Sequence, residues 1–328
     1  MRISVIVPVF NAATSIEGVL RAIDQQDIQE PYEIICVDDG SSDDTAAIIK
    51  KFPHVIYCYQ TNAGPAAARN AGARLARGEF LAFTDSDCFP QHDWLSQLMK
   101  SFSSLNVAVV CGSYGIANAS SRLARGVHRE ILYRHQHLMP DYPKAFGGYN
   151  FCVKKNIFWQ AGGFNESYRR ASGEDNDLSY KILEQGGVIF FNRQARVDHL
   201  HPVDVWRYLK EQYRHGFWRV LMYKEHPKMM RGDDYTYWKD IVEMPLALGV
   251  CAGIVVTLLN GLSFEQTFGL LIAPFLIFEL VFAKLMIVNW FDGIFFGFVI
   301  FFRAFARLFG FSTGILNIFL KTFEKKVK

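Results

Sequence analysis

Four short runs rich in Val, Ile, Phe and Tyr, at residues 3–9, 33–38, 55–59 and 80–84, constrain this chain most. Between them lie the helical patterns Thr14–Gln26, Asp43–Lys51 and Pro65–Arg77, the second of which Ser42 or Asp43 can cap. Strand, helix, strand, helix in this order predicts a mainly parallel sheet with helices on both faces, an α/β Rossmann-like architecture. In such sheets ligands bind beyond the carboxyl ends of the strands.

The polar segments sit at those ends. "VPVFN" closes the first strand, "VDDGSSDDT" the second and "TDSD" the fourth. Alternate side chains of a strand share a face, so Asp85 and Asp87 lie side by side and repel. A cation or hydrogen-bond donors between them relieve that repulsion. A polar strand end before a turn at Pro90 also accounts for an isolated D-x-D. Asp38 and Asp39 at a neighbouring strand end shift the balance toward a shared site. Arg69, on the small-residue helix "NAGPAAARNAG", is either an exposed helix residue or a guanidinium turned toward a phosphate or a base.

A net charge of +3 over 328 residues is no footprint of a nucleic-acid binder. Six cysteines without C-x-x-C spacing predict reduced thiols and no zinc site. The start "RISVIVPVF" shows no signal-peptide pattern, which predicts that the first domain stays cytosolic. Near residue 240 the composition changes. Segments 245–262, without a charge, and 268–290, with Glu279 and Lys284, are each long enough to span a bilayer. An intramembrane Glu279 is either functional or a packing partner of the first span. Along 294–320, Arg303, Arg307, Gly310, Gly314, Asn317 and Lys321 recur every three or four residues, a stripe that predicts a helix lying in the membrane interface. The loop 260–267 lacks Lys and Arg, while the tail "KTFEKKVK" has four Lys. The positive-inside rule then places both catalytic domain and tail on the cytoplasmic side. The expected division is a catalytic domain over 1–240, a transmembrane hairpin over 241–290, and an interfacial helix with a basic tail over 291–328.

Taken together and in order, "SVIVPVFN", "VDDGSSDDT", "NAGPAAARNAG", "FLAFTDSDCFPQHDWL", "GGFNE" and "GEDNDLSYK" resemble the inverting family-2 glycosyltransferases over roughly residues 2–220. The resemblance implies the GT-A fold, a nucleotide-diphosphate sugar donor and a divalent Mg²⁺ or Mn²⁺. It implies that Asp38 or Asp39 binds base or ribose. Asp87 would contact the metal, with Asp85 nearer the ribose or a metal-bound water. Pro8, Phe10, Asn11, Arg69 and Ser86 complete the expected donor contacts, and Gly148 and Asn150 in "FGGYNFCVKK" line the sugar pocket. Asp175 would be the catalytic base, with Glu174 as fallback. Acids at a helix start are also stabilised by the helix dipole, by about 0.3–1 kcal/mol each. His199 and His201 alternate along "VDHLHP" and are expected to complete the metal or phosphate site, unless they form a surface pair beside Pro202. "EQYRHGFWR" is similar to the Q-x-x-R-W box of processive synthases but departs in spacing, which argues against a processive polymerase. Arg214 and His215 remain possible acceptor or diphosphate contacts.

The expectation is a membrane-anchored, metal-dependent inverting glycosyltransferase acting on a lipid-linked glycan or glycolipid, with no nucleic-acid partner. A polyprenyl-phosphate sugar synthase is the alternative. A nucleotidyltransferase would need a Gly-rich basic loop that "VPVFNAATSIEG" lacks, and the paired acids argue against a non-catalytic scaffold.

Overall fold

The computed structural model describes residues 2–104, 106–170, 173–227, 234, 238–259, 261, 263–287 and 289–327, with side chains at 103–104 and 321–327 left aside. The chain forms two compact units, Met1–Ala117 with Met139–Leu200, and Asn118–Leu138 with His201–Lys328. Residues 118–138 and 201–240 thus group with the C-terminal helices rather than with the sheet.

The first unit is built on one eight-stranded sheet. Its strands are β1 (Ile3–Val9), β2 (Tyr32–Asp38), β3 (Ile56–Tyr59), β4 (Phe80–Thr84), β5 (Cys88–Pro90), β6 (Val109–Ile116), β7 (Asn150–Lys154) and β8 (Ile189–His199), in the order β3-β2-β1-β4-β7-β6-β8-β5. The four strands anticipated from sequence form the parallel part, β3-β2-β1-β4. Beyond it β7 runs antiparallel to β4 and β6, β8 runs parallel to β6, and β5 runs antiparallel to β8. All seven residues of β1 are buried, as expected of a strand covered on both faces. On one face α1 (Ile16–Asp24) presents Ile16, Val19, Leu20 and Ile23 at helical spacing, and α4 (Trp94–Ser104) adds Leu95 and Leu98. On the other face Phe83 stacks on Phe151 at 4.6 Å between ring centroids, with Phe158 and Phe164 around them. There α3 (Pro65–Leu75) approaches β1 closely, because a Cβ on Gly72 would lie only 2.5 Å from Ile6 Cγ2. Two short helices, α2 (Thr45–Ile49) and α6 (Lys155–Gln160), and α7 (Glu174–Glu184) complete the unit. The cysteines are free, and four of the six are buried.

The second unit is helical: α5 (Arg122–His137), α8 (Val205–Glu225), α9 (Trp238–Leu258), α10 (Phe264–Thr267) running through a π-helical turn (Phe268–Ile272) into α11 (Ala273–Met286), and α12 (Trp290–Val327). Three stretches, Trp238–Leu258, Phe264–Met286 and Trp290–Leu320, are long and apolar enough to cross a membrane. Their outward residues include Leu248, Val255, Leu270, Ile277, Phe302, Phe309 and Phe319, all exposed.

The stripe on α12 faces inward, contrary to the expectation that it meets headgroups. Arg303 is 1% exposed and pairs with Glu130 at 2.5 Å and Glu243 at 3.3 Å. Arg307 pairs with Asp240 at 2.8 Å and Glu243 at 2.6 Å. Gly310 and Gly314 lie against α8, where a Cβ would come 1.9 Å from Tyr213 O and 2.6 Å from Phe217 O. The small residues therefore serve close helix packing. Asn317 is half-buried, and the side chain of Lys321 lies outside the described residues. Glu279 pairs with Lys239 at 2.8 Å, both fully buried, which makes it the packing partner of α9.

In the sheet, the β6 backbone shifts register between Gly112 and Ser113, and a Cβ on Gly112 would lie 2.0 Å from Ala195 O of β8. Gly112→Ala is expected to destabilise the sheet by about 1–3 kcal/mol through overpacking. Thermal unfolding of the detergent-solubilised protein should show a lower Tm than wild type.

Candidate active site

The carboxyl ends of β1, β2 and β4 meet on one edge of the sheet. Asn11 adopts φ 48°, and its Oδ1 accepts the Ser42 N–H at 2.8 Å while its own N–H donates to Ser41 Oγ at 2.9 Å. Pro8 is buried in register with Val37, and Phe10 is 47% exposed at the rim. Asp38 accepts the Ser41 N–H and the Tyr57 hydroxyl, each at 2.8 Å. Burial and that bond push the Tyr57 phenol up to about 12. Asp39 accepts Gln60 Nε2 at 2.7 Å and the N–H groups of Ala63 and Gly64 at 2.8 and 2.9 Å. Gly64 needs its glycine, since its φ is 98° and a Cβ would lie 2.5 Å from Arg169 O. Asp39 thus fixes the turn that leads into α3, while Asp38 braces the β2 and β3 ends.

Asp85 and Asp87, at the end of β4, part company. Asp85 accepts Arg69 Nη2 at 2.7 Å. The same guanidinium donates from Nη1 to Glu174 at 2.9 Å and is 3% exposed. It lies over the Phe164 ring at 5.3 Å, and a Cβ on Gly148 would come within 3.1 Å of it. Asp87 instead faces His199, with 3.5 Å between Oδ2 and Nε2. The β5–β8 pairing sets this up by placing His199 opposite Cys88. Burial pushes the Asp87 carboxyl up, but the hydrogen bond and charge of His199 outweigh it and hold the group below the usual range. The ligand atoms of Asp87, Cys88 and His199 lie within 4.8 Å of one another. The Asp87 carboxylate suits Mn²⁺ or Mg²⁺, and the imidazole beside it offers a nitrogen ligand that fits Mn²⁺ better than the harder Mg²⁺. The Cys88 thiol is held well above its ordinary value by burial and by the charges of Asp87 and Asp85, so it stays a thiol. Asp87 and His199 therefore fit the implied metal. Ser86 contributes its carbonyl, which accepts Ser15 Oγ at 2.7 Å.

The third part is the start of α7. Gly173, at φ 104°, turns the chain so that Glu174 and Asp175 open the helix. Glu174 is buried against Arg69. Asp175 accepts the Gly148 N–H at 3.0 Å and the Asn176 N–H at 2.9 Å. Burial, and then the neighbouring Glu174 charge, push its carboxyl up to about 7. A carboxyl there can take a proton at neutral pH.

Several expected contacts fall elsewhere. Asn150 is buried, and its amide is taken up within the unit by Ser113 O, Ala195 O and Trp94 Nε1. It ties β7 to its neighbours and does not present its side chain to a sugar. Arg69 points at two carboxylates and not at a phosphate. His201 belongs to the second unit, where its Nε2 lies 3.4 Å from His128 Nδ1. His199 joins the acidic cluster without it. Arg214 and His215 lie on α8 in the second unit. Tyr57 and Gln60, which brace Asp38 and Asp39, escaped the sequence reading. Their position at the end of β3, the strand beside β2, is the signal that points to them.

The description of glycosyl transferase family 2 matches residues 4–171. The chain belongs to that family. A pre-mycofactocin glycosyltransferase of Mycobacterium tuberculosis is 26% identical over 281 residues, covering 79% of this chain and 56% of that protein. The glycosyltransferase GlyA of Streptococcus pneumoniae is 34% identical over 285 residues, covering 77% of this chain and 39% of its own length. An uncharacterized glycosyltransferase of Bacillus subtilis, YfnE, is 33% identical and covered over 58% of its length. The chain thus spans about half, or less, of these relatives. Among solved structures, the mannosyltransferase PcManGT from Pyrobaculum calidifontis, in complex with GDP-Man and Mn²⁺, superposes with a TM-score of 0.54 at 22% identity. That match covers 69% of this chain and 64% of the mannosyltransferase. TarS of S. aureus in complex with UDP gives 0.50 at 20% identity, covering 67% of this chain and 66% of that one. The fold of the first unit is GT-A.

A base must be deprotonated to act, so with Asp175 in that role the transfer rate is expected to rise with pH through about 7 and to level off above it. Below that limb kcat/KM should fall about tenfold per pH unit. A pH–rate profile that stays flat down to about pH 5 would remove Asp175 from the role, since an ordinary carboxyl titrates well below 7.

Proposed function

We propose that the protein is a membrane-anchored, metal-dependent inverting glycosyltransferase. It moves a sugar from a nucleotide-diphosphate donor to an acceptor at the cytoplasmic membrane face, a lipid-linked glycan or glycolipid. The carrying observation is the division of labour among the acids: Asp87 beside His199, and Asp175 with its carboxyl raised to about 7. Solved neighbours of the same fold are complexes with GDP-Man and Mn²⁺ or with UDP, which supports a nucleotide donor and a divalent metal.

In this reading the donor lies along the strand ends, with its base and ribose near Asp38, Asp39 and the Pro8–Asn11 segment, and Gly148 beside the sugar. Asp87 and His199 would hold a divalent ion, which supplies charge neutralisation on the departing diphosphate. Asp85 stays close by, fixed on Arg69. Asp175 takes the proton of the acceptor hydroxyl. The oxygen so freed bonds to the anomeric carbon as the bond to the diphosphate breaks on the opposite face. The configuration therefore inverts, and Asp175 carries the released proton.

The membrane part of the reading rests on the apolar outer faces of α9 to α12 and on the Lys- and Arg-free 260–267 loop. Helices α9 and α10–α11 span as a hairpin, with α12 and α8 on the cytoplasmic side. The close α8–α12 packing supports this arrangement, because α8 carries the exposed charges of Arg207 and Lys210, which are costly to bury in lipid.

Asp87→Ala should abolish transfer together with the metal enhancement of donor binding. Calorimetric titration of a nucleotide sugar with and without Mn²⁺ checks this, and undiminished enhancement would take Asp87 out of the site. Asp175→Asn should keep donor affinity and lose about 10²–10⁴-fold in turnover. For topology, single cysteines are placed in a background lacking Cys58 and Cys251, the partly exposed native thiols. An impermeant thiol reagent outside intact cells should label Ser263→Cys and spare Arg207→Cys. The reverse pattern would overturn the cytoplasmic placement.

A further inference from the structure

We propose that Arg69 is a positioning residue that sorts the four carboxylates of the site, holding Asp85 and Glu174 so that Asp87 and Asp175 are left to act. The inference rests on the reading of Asp175 as base. The geometry is specific. One guanidinium takes one acid from each pair, Asp85 at 2.7 Å through Nη2 and Glu174 at 2.9 Å through Nη1. It is held in a slot between the Phe164 ring and Gly148, where even a Cβ would come within 3.1 Å of it. The peptide N–H of that same Gly148 donates to Asp175 at 3.0 Å. Arg69 therefore touches the D-x-D, the partner of the base and the backbone that orients the base.

Charge gives the arrangement its consequence. The groups that face Asp175 are Glu174 on its own helix, Arg69 from α3, and the N–H groups of Gly148 and Asn176. Asp177, in the same helical turn, is taken by Lys181 at 2.6 Å. Glu174 raises the Asp175 carboxyl and Arg69 lowers it. Without Arg69, the buried Glu174 and the half-buried Asp85 lose their counter-charge, and protonation of Asp175 becomes easier. A fork of fixed N–H donors spans both acids, whereas a lysine at the same place is a single point charge.

The test is the pH dependence of kcat/KM in Arg69→Met, Arg69→Lys, Glu174→Gln and the double variant Arg69→Met/Glu174→Gln. Arg69→Met should move the acid limb upward by about one pH unit or more, the usual size of one lost opposite charge. The KM for the nucleotide sugar should be little changed. Arg69→Lys should fall between this variant and wild type. Glu174→Gln should move the limb downward, and the double variant should bring it back from the Arg69→Met position. Nucleoside diphosphate binding and thermal unfolding report whether each variant folds. If Arg69→Met fails to fold, the opposite shifts of Arg69→Lys and Glu174→Gln carry the test. An unmoved limb with a raised donor KM in the Arg69 variants would make the guanidinium a donor ligand and overturn the proposal. If Asp175→Asn turns over normally, the base assignment fails and this inference falls with it. Loss of turnover in Asp175→Asn beside an unmoved Arg69 limb sinks this inference alone.

Discussion

Acids gathered at the ends of neighbouring strands repel one another, and burial makes the repulsion worse. The double ion pair of Arg69 is what lets Asp85 and Glu174 share one end of the sheet. The guanidinium is nearly inaccessible, so neither water nor salt screens it as they would a surface pair. Its place on α3 depends in turn on the close approach of that helix to β1 at Gly72, and on Gly64 at the helix start, where Asp39 accepts the N–H. Local backbone geometry, helix packing and site electrostatics therefore converge on one side chain. The acids without such a partner are the ones with altered character. Asp87 sits below the usual range beside His199, and Asp175 sits near 7 with only backbone N–H groups on its oxygens.

The helical unit solves a similar problem at larger scale. Arg134, Lys239, Arg303 and Arg307 meet Glu130, Asp240, Glu243 and Glu279 across α5, α9, α11 and α12. Formal charges balance, and each member has a partner of opposite sign. Removing one partner from such a buried set typically costs 3–5 kcal/mol, because an uncompensated charge remains. The network fixes which face of α12 turns inward. It leaves Phe302, Phe309 and Phe319 on the outside, where an apolar environment is their natural neighbour.

The parallel half of the sheet was legible because strands buried on both faces read as continuous apolar runs. The observed β1, β2, β3 and β4 match the runs at 3–9, 33–38, 55–59 and 80–84 closely. The other half was not, since Gly and Ser interrupt the apolar residues of β6, Asn and Arg those of β8, and β5 has only three residues. The acids of the site were visible as motifs, but their partners were not. Nothing in the spacing of Arg69 says that it meets residues 16 and 105 positions away. Alternation along "VDHLHP" likewise put His199 and His201 on one strand face, yet β8 ends at His199 and the two histidines enter different units. The stripe on α12 was correctly seen and wrongly aimed. A row of Arg and Gly has the same period whether it meets headgroups or the carboxylates and backbone of neighbouring helices, and only the partners decide between the two.

That last distinction bears on what the helical unit turns outward. An interfacial helix whose cations faced the headgroups would draw its hold on the membrane from anionic lipid. With Arg303 and Arg307 committed to Glu130, Asp240 and Glu243, α12 instead turns an apolar face outward. Among the described residues, α8 carries exposed cations such as Arg207 and Lys210. Contact through such a face depends on buried apolar area, which salt affects little, whereas the exposed charges of α8 are open to screening.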